Sequence, residues 1–138
     1  MSTITQWAIY RASLDPVIGS EQRGTRPVVV ISHDNFNRLM PTVTILPLTS
    51  HKSGRRVYPN EVLLPSGIAG LPAASLVLVH QIRTVAKSRL SICYGVIDDL
   101  QLRQAIIRAL QVHLPVQLRE TRRLTVPWSP RQSPAQHQ

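Results

Sequence analysis

One stretch of the chain combines side chains that can bind an anion with a backbone that can hold them in place. Residues 14–32 read LDPVIGSEQRGTRPVVVIS, a polar loop bracketed by Gly19 and Gly24 and followed by Arg26, Pro27 and four apolar residues. The apolar run predicts a buried strand, and proline, which lacks a backbone N–H, suits the first residue of a strand. Arg26 would then stand where a loop meets a rigid sheet, from which a guanidinium can bind a phosphate. Without further context, the simpler interpretation of Arg26 is a surface arginine at a strand end.

Three blocks of the sequence, in order and at the expected spacing, resemble the MazF/PemK family of toxin endoribonucleases. The first is residues 14–32, the second is TVTILPLTS at residues 42–50, and the third is VHQIRTV at residues 79–85. The resemblance implies a mainly β fold with a C-terminal helix, a small SH3-like antiparallel barrel of the MazF/PemK/CcdB kind, and a homodimer. Family members usually carry a Gly-Asp pair where this chain has Trp7 and Ala8.

The resemblance also implies a set of site residues. It assigns catalysis to Arg26, which would stabilise charge on the scissile phosphate, and to Thr49, which would hydrogen-bond the phosphate or the attacking hydroxyl. Because a guanidinium stays protonated, Arg26 is a poor general base. Without the motif, Thr49 would be interpreted as a strand-end threonine. The remaining residues that match the family's loop and third block are Ser20, Glu21, Gln22, Gln81 and Arg83.

Each of these five matching residues has a role implied by its block. Ser20, Glu21 and Gln22 belong to a loop that borders the site. Gln81 could contact a base edge, and Arg83 could contact phosphate or brace the fold.

A basic loop and two histidines are further candidates for substrate contacts. The loop contains His51, Lys52, Arg55 and Arg56, and a phosphate-binding loop and a solvated turn are equally good interpretations of it. His80 stands where the family often has an acidic or small residue. A histidine can exchange a proton near neutral pH, but an ordinary exposed or packed histidine is the simpler interpretation of both His51 and His80.

Composition favours a polyanionic partner. The chain has 138 residues, 16 Lys+Arg against 7 Asp+Glu, a net charge of +9, and arginine supplies most of the cations. Arginine pairs bidentately with phosphate and stacks on bases, which favours nucleic acid over mere solubility as the reason for the charge. A basic protein that is simply soluble is the alternative.

Several other chemistries find no support in the sequence. There is no HExxH, no P-loop and no GxGxxG, so we expect no metal and no cofactor. The single cysteine, Cys93, excludes an intrachain disulfide and is expected to be a small core residue. RNA cleavage needs neither a metal nor a protein nucleophile, because the 2′-OH of RNA can attack the adjacent phosphate. The sequence shows no signal peptide and no apolar run of membrane-spanning length, so we expect a cytoplasmic protein without membrane contact.

Periodicity predicts strands joined by short turns and one terminal helix. The turn-forming segment 33–37 should carry side-chain-to-backbone hydrogen bonds from Asp34 and Asn35. Asp98 should cap the helix with Gln101 completing a capping box, and Pro115 should end it. The predicted strands are Trp7–Ala12, Val28–Ser32, Thr42–Leu46, Asn60–Leu64, Ser75–Val85 and Arg89–Val96. The predicted buried helix face is Leu102, Ile106, Ala109, Leu110 and His113.

The last part of the chain differs in character from the rest. We expect residues 1–114 to form the toxin-like domain and residues 115–138 to be a basic, proline-containing tail that is disordered and solubilising. The alternative is an arm that binds RNA or a partner, with Trp128 as a stacking residue.

The resemblance thus implies the toxin of a type II toxin–antitoxin system. It would be a metal-independent endoribonuclease that cuts single-stranded RNA at a short sequence, leaving a 2′,3′-cyclic phosphate and a 5′-OH. Its other partner would be an acidic cognate antitoxin that competes for the same arginines. The alternatives are a CcdB-like toxin that binds DNA gyrase without cutting RNA, and a non-catalytic RNA-binding module.

Overall fold

The computed structural model describes residues 3–115, and this part of the chain contains seven strands and two α-helices. The expected tail therefore lies outside the described residues, apart from Pro115. Neither helix within residues 3–115 has the length and apolar character needed to cross a membrane. In chain order the elements are β1 (Ala8–Ser13), β2 (Thr25–Val30), α1 (Asp34–Leu39), β3 (Thr42–Ser50), β4 (Glu61–Leu64), β5 (Ser75–Leu78), β6 (Arg83–Ala86), β7 (Leu90–Val96) and α2 (Leu100–His113).

The strands form one antiparallel sheet. Its order is β4-β5-β3-β2-β1-β7, and β6 pairs with the first half of β3. The predicted fold class, mainly antiparallel β with a C-terminal helix, is confirmed. Within the described residues no pairing joins β4 to β7, so backbone hydrogen bonds do not close the sheet into a complete barrel.

Alternating residues of the central strands fill two cores. Val29 and Leu46 belong to one core cluster, whereas Val28, Val30 and Ile45 belong to the other. Because successive side chains point to opposite faces of a strand, this pattern shows that β2 and β3 are covered on both faces. The continuous apolar run that ends β2 predicted such a buried strand. Packing on both faces therefore holds β2 and β3 in place, and their ends carry the candidate site residues Arg26 and Thr49.

The strand predicted for Ser75–Val85 is two strands separated by a 3₁₀ turn, Val79–Gln81. Both β5 and β6 pair with β3. Val77 of β5 pairs with Leu48, and Arg83 of β6 pairs with Ile45. Between these two pairs, the β5–β6 segment is three residues longer than the matching segment of β3. The prediction of one continuous strand was wrong because an apolar run does not reveal such an insertion.

Three further boundaries differ from the predictions. Strand β2 spans Thr25–Val30 and not Val28–Ser32, so Pro27 lies inside it, paired with Arg11 on β1, and is not its first residue. The segment predicted as a turn at 33–37 opens a short helix, α1, in which His33 caps the N–H of Asn35. The Asp34 carboxylate instead accepts from the backbone N–H of Gln6 at 2.7 Å, a contact distant in sequence. Strand β3 continues to Ser50, beyond the predicted end at Leu46, with Pro47 inside it.

The structure shows the surroundings of Trp7 and Cys93, two positions singled out in the sequence. Trp7, just before β1, has φ 72. Glycine, which the family pattern has there, adopts this left-handed conformation without the steric cost of a side chain. Cys93 is exposed, so the prediction of a core cysteine was wrong. It lies in β7, which within residues 3–115 pairs only with β1 and forms one edge of the sheet.

Helix α2 begins one residue later than predicted. Asp99, not Asp98, is its N-cap: the Asp99 carboxylate accepts from the N–H groups of Gln101 and Leu102 at 2.8 and 3.2 Å. The helix ends at His113, before Pro115 as expected. Of the predicted buried face, Ile106 and Ala109 are buried and Leu102 and Leu110 pack against the core. His113 is exposed, because the end of the helix extends past the core.

Candidate functional site

One face of β4, β5 and β3 forms the floor of an open pocket of about 880 Å³. Glu61 on β4 pairs with Leu78 on β5, and Leu76 on β5 pairs with Thr49 on β3. Because paired residues share a face and alternate residues along a strand return to it, Glu61, Leu78, Leu76 and Thr49 lie on the same side of the sheet. The pocket is lined by Ser20, Gln22, Thr49, Ser50, Lys52, Arg55, Tyr58, Pro59, Asn60, Glu61, Leu78, His80, Gln81 and Val112.

Arg26 lies on this face of the sheet but does not line the pocket. Val28 and Pro47 form the last pair between β2 and β3, and Arg26 and Thr49 each lie two residues beyond it. By the alternation of the strands, Arg26 and Thr49 therefore project on the same side. The Arg26 Nε donates to the Arg23 carbonyl oxygen at 2.7 Å, which fixes one edge of the guanidinium to the preceding loop.

The glycine-bracketed loop reaches the pocket through Ser20 and Gln22. The Gln22 N–H donates to the Gln81 side-chain oxygen at 3.4 Å, which connects the first and third sequence blocks. The Gln22 side-chain oxygen is buried and accepts no hydrogen bond within the described part of the chain. Glu21 does not line the pocket; its carboxylate accepts from the Ile18 N–H at 2.7 Å and so stabilises the loop itself.

The 3₁₀ turn after β5 brings His80 and Gln81 into the pocket. Val79 is buried beneath them, while His80 is exposed. The His80 ring lies 6.3 Å from the ring of His113 at the end of α2, in an edge-to-face arrangement. The interruption that made the strand prediction wrong therefore presents two of the predicted substrate contacts.

The predicted basic loop divides into two pairs. Lys52 and Arg55 line the pocket, whereas His51 and Arg56 do not. A ring nitrogen of His51 lies 3.2 Å from the Arg55 carbonyl oxygen, and the Arg56 guanidinium lies 5.2 Å from the centre of the Tyr58 ring. His51 and Arg56 thus have partners within the loop.

Arg83 also lies away from the pocket lining. It pairs with Ile45 on β3, and its guanidinium donates to the Leu14 carbonyl oxygen at 3.3 Å. Leu14 directly follows β1 and precedes the glycine-bracketed loop. Of the two roles considered for Arg83, bracing the fold has a contact in the structure.

Sequence reasoning missed the buried carboxylate of Glu61. Its two oxygens accept from the two terminal nitrogens of Arg55, each at 3.0 Å, and one also accepts from the Tyr58 N–H at 3.0 Å. The hydrogen bond from Arg55 lowers the pKa of Glu61, and the same contact raises the pKa of Arg55. Glu61 is the one acidic residue between Asp34 and Asp98, and this isolation in a basic stretch is the signal that could have found it.

Several side chains in and beside the pocket can donate hydrogen bonds. Lys52, the nearby Arg26 and the polar groups of Gln22, Thr49 and Gln81 supply hydrogen-bond donors of the kind that contact phosphate and bases. No group of three or more His, Cys, Asp or Glu side chains able to hold a metal ion occurs within residues 3–115.

Fold and pocket together define a small basic domain of mainly antiparallel β structure with an open pocket on one face of the sheet. The chain matches the family model for the PemK-like, MazF-like toxin of type II toxin–antitoxin systems over residues 5–114. It is 37% identical over 106 residues to endoribonuclease EndoA of Bacillus subtilis (strain 168), which covers 77% of this chain and 90% of that relative. The chain therefore belongs to the MazF/PemK family of toxin endoribonucleases, as its three sequence blocks predicted.

Two solved structures show the same fold. MazF (Form-I) from Deinococcus radiodurans superposes with a TM-score of 0.72 at 23% identity, covering 84% of this chain and 100% of that one. An endoribonuclease in complex with its cognate antitoxin, from Mycobacterial species, superposes with a TM-score of 0.68 at 22% identity, covering 84% and 99%.

Proposed function

We propose that this toxin cleaves single-stranded RNA at a short base sequence, by attack of the ribose 2′-OH on the adjacent phosphate. The products would carry a 2′,3′-cyclic phosphate and a 5′-OH, and the reaction would need no metal. The observation that supports this proposal best is the placement of Arg26 and Thr49 on one face at the ends of adjacent strands.

Arg26 and Thr49 would divide the work of stabilising the transition state. The Arg26 guanidinium would bind the oxygens of the scissile phosphate as their negative charge grows. The Thr49 hydroxyl would donate to a phosphate oxygen or hold the attacking 2′-OH in line. Both positions are fixed by strands that are buried on two faces, which limits the cost of ordering the side chains when RNA binds.

The pocket beside this pair would hold the neighbouring nucleotides. The side-chain amides of Gln22 and Gln81 can donate to and accept from base edges, and Ser20 and His80 add polar groups. Lys52 would contact a phosphate along the strand.

An acidic antitoxin would be the protein partner. One of the proteins with the same fold, from Mycobacterial species, is an endoribonuclease in complex with its cognate antitoxin. With a net charge of +9, this chain would attract an acidic segment to the cationic side chains that bind RNA, so that antitoxin and RNA compete. We also propose that the toxin is a homodimer and that residues 115–138 form a basic tail outside the toxin domain.

The test is cleavage of a long RNA of mixed sequence by purified protein in EDTA, with cut sites mapped and end groups identified. The variants are Arg26→Ala and, as the matched control, Arg11→Ala. Arg11 is an exposed arginine on β1 that pairs with Pro27, next to Arg26 in the chain. Loss of one preorganised donor to transition-state charge slows an enzyme by roughly 100- to 1,000-fold.

The proposal predicts cuts at one short sequence with cyclic phosphate ends, no cuts in all-DNA substrate, and strong loss only in Arg26→Ala. Activity that persists in Arg26→Ala would remove Arg26 from its role. No cleavage by a folded protein would favour a gyrase-binding toxin or a non-catalytic RNA-binding module.

A further inference from the structure

Glu61 is the first residue of β4, and its carboxylate contacts the basic loop that connects β3 to β4. Its side chain is only 3% exposed, and it accepts two hydrogen bonds from Arg55 and one from the Tyr58 N–H. We propose that Glu61 is a positioning residue that holds residues 51–60 in the shape that lines the RNA pocket, and that Arg55 serves this contact instead of binding phosphate. The inference rests on the proposed function, because it assigns roles within the same site.

The loop depends on this contact because its other hydrogen bonds are local or lie at its ends. The His51 N–H donates to the Ala74 carbonyl oxygen at 3.0 Å, where the loop leaves β3. Within the loop, the Arg55 N–H donates to the Lys52 carbonyl oxygen at 3.0 Å, and the Glu61 N–H donates to that of Tyr58 at 2.9 Å. These short bonds form two separate turns. The Glu61 carboxylate joins both turns to β4, since it binds a side chain from the first and a backbone group from the second.

The geometry also argues against Arg55 as a phosphate ligand. Both of its terminal nitrogens bind Glu61, and one of them also donates to the Arg56 carbonyl oxygen at 3.0 Å. If the two terminal nitrogens of Arg55 bound a phosphate instead, the buried Glu61 carboxylate would lose its cationic partner, which is strongly unfavourable. Lys52 lines the same pocket and forms no ion pair within residues 3–115, so its charge is available to RNA.

The first measurement follows the loop without RNA. Amide hydrogen exchange would be compared between the wild type and Glu61→Gln, a variant that keeps the size of the side chain and removes its charge. We expect the Tyr58 amide to exchange about tenfold faster in Glu61→Gln, or more, while amides of β2 and β3 keep their protection. Unchanged protection at Tyr58 would overturn the assignment of Glu61 to the loop.

The second measurement separates a clamp from a phosphate ligand. Binding of a non-cleavable 2′-O-methyl RNA would be measured against salt for Arg55→Gln and, as the matched loop cation, Lys52→Gln. Losing one phosphate contact to single-stranded nucleic acid decreases the steepness of log K against log salt, which is the absolute value of its negative slope, by about 0.7. We expect this decrease for Lys52→Gln and an unchanged slope, with weaker binding, for Arg55→Gln. An equal decrease in Arg55→Gln would show that Arg55 binds phosphate and would overturn the proposal.

The third measurement uses catalysis. Because Glu61 shapes the pocket and does not touch the reacting phosphate, Glu61→Gln should raise KM for RNA by about tenfold and change kcat less than about twofold. Glu61→Asp, which keeps the charge, should recover part of the KM. A reduced kcat with unchanged KM would overturn the proposal. Absence of RNA binding or cleavage by the wild type would instead contradict the proposed function, whereas a wild type that cleaves together with an unaltered Glu61→Gln contradicts only this inference.

Discussion

Arg26 and Thr49 occupy equivalent places on adjacent antiparallel strands, each two residues beyond the last paired positions, Val28 and Pro47. Pro47 has no backbone N–H to donate and so cannot fully continue the ladder. Beyond this point β2 stays paired with β1 and β3 pairs with β5, and Arg26 and Thr49 project on the same face. In the proposed reaction, the guanidinium and the hydroxyl at this end of the β2–β3 ladder would contact the same phosphate.

Removing the Thr49 hydroxyl should slow RNA cleavage without unfolding the protein. Thr49→Val keeps the β-branched shape, so the strand is preserved. A hydrogen bond to a charged group contributes about 1.5–3 kcal/mol, which corresponds to a loss of roughly 10- to 150-fold in kcat/KM. The matched control is Thr44→Val on the same strand, whose hydroxyl lies 3.0 Å from that of Thr84 and away from the pocket. Equal losses in both variants would contradict a specific role for Thr49.

The two aspartates before α2 should differ in their effect on stability. Asp99→Ala removes the side chain that caps two helix N–H groups and should lower the free energy of unfolding by about 1 kcal/mol. Asp98, whose side chain is 93% exposed and lies 3.8 Å from Arg103, should lose less than about 0.5 kcal/mol on replacement by alanine. Denaturant unfolding of both variants measures the difference. The reverse order would mean that Asp98 is the cap.

The Glu61–Arg55 ion pair should make stability depend on pH in one direction. Because the pKa of Glu61 is lowered in the folded protein, the pair stabilises the fold above the ordinary glutamate value of about 4.3. This contribution is lost as the pH falls through the lower pKa of the folded state. The unfolding free energies of the wild type and Glu61→Gln should therefore differ most at pH 6–7 and converge at acidic pH. A difference that grows on acidification would contradict the ion pair.

Removing residues 116–138 should leave thermal stability nearly unchanged. The family match ends at residue 114, and within residues 3–115 the two core clusters already take side chains from β1 to α2. We expect the shortened chain to melt within about 2 °C of the full chain. Ile106→Ala, which truncates a buried side chain of α2, should cost about 2–5 kcal/mol and lower Tm by roughly 10 °C or more. A comparable drop in the shortened chain would show that the tail stabilises the domain.

Local sequence predicted the parts of the fold that depend on local chemistry. The apolar run of β2 predicted a buried strand, because an uninterrupted set of valines leaves neither face to solvent. The three blocks predicted the family, and with it the open pocket's Gln22, Thr49 and Gln81. They did not separate pocket-lining residues from supporting ones, because Arg83 and Glu21 make their contacts with the Leu14 carbonyl and the Ile18 N–H.

The tertiary structure decided what depends on register and on pairing between distant residues. An insertion of three residues between β5 and β6 cannot be read from an apolar run, yet it directs His80 and Gln81 into the pocket. Likewise, the sequence alone does not show that Arg55 is paired. The folded chain brings its guanidinium into an ion pair with the buried carboxylate of Glu61. Hydrophobic pattern and motif therefore determined the elements and the family, whereas the geometry of strand pairing decided which charges face the pocket and which are already neutralised.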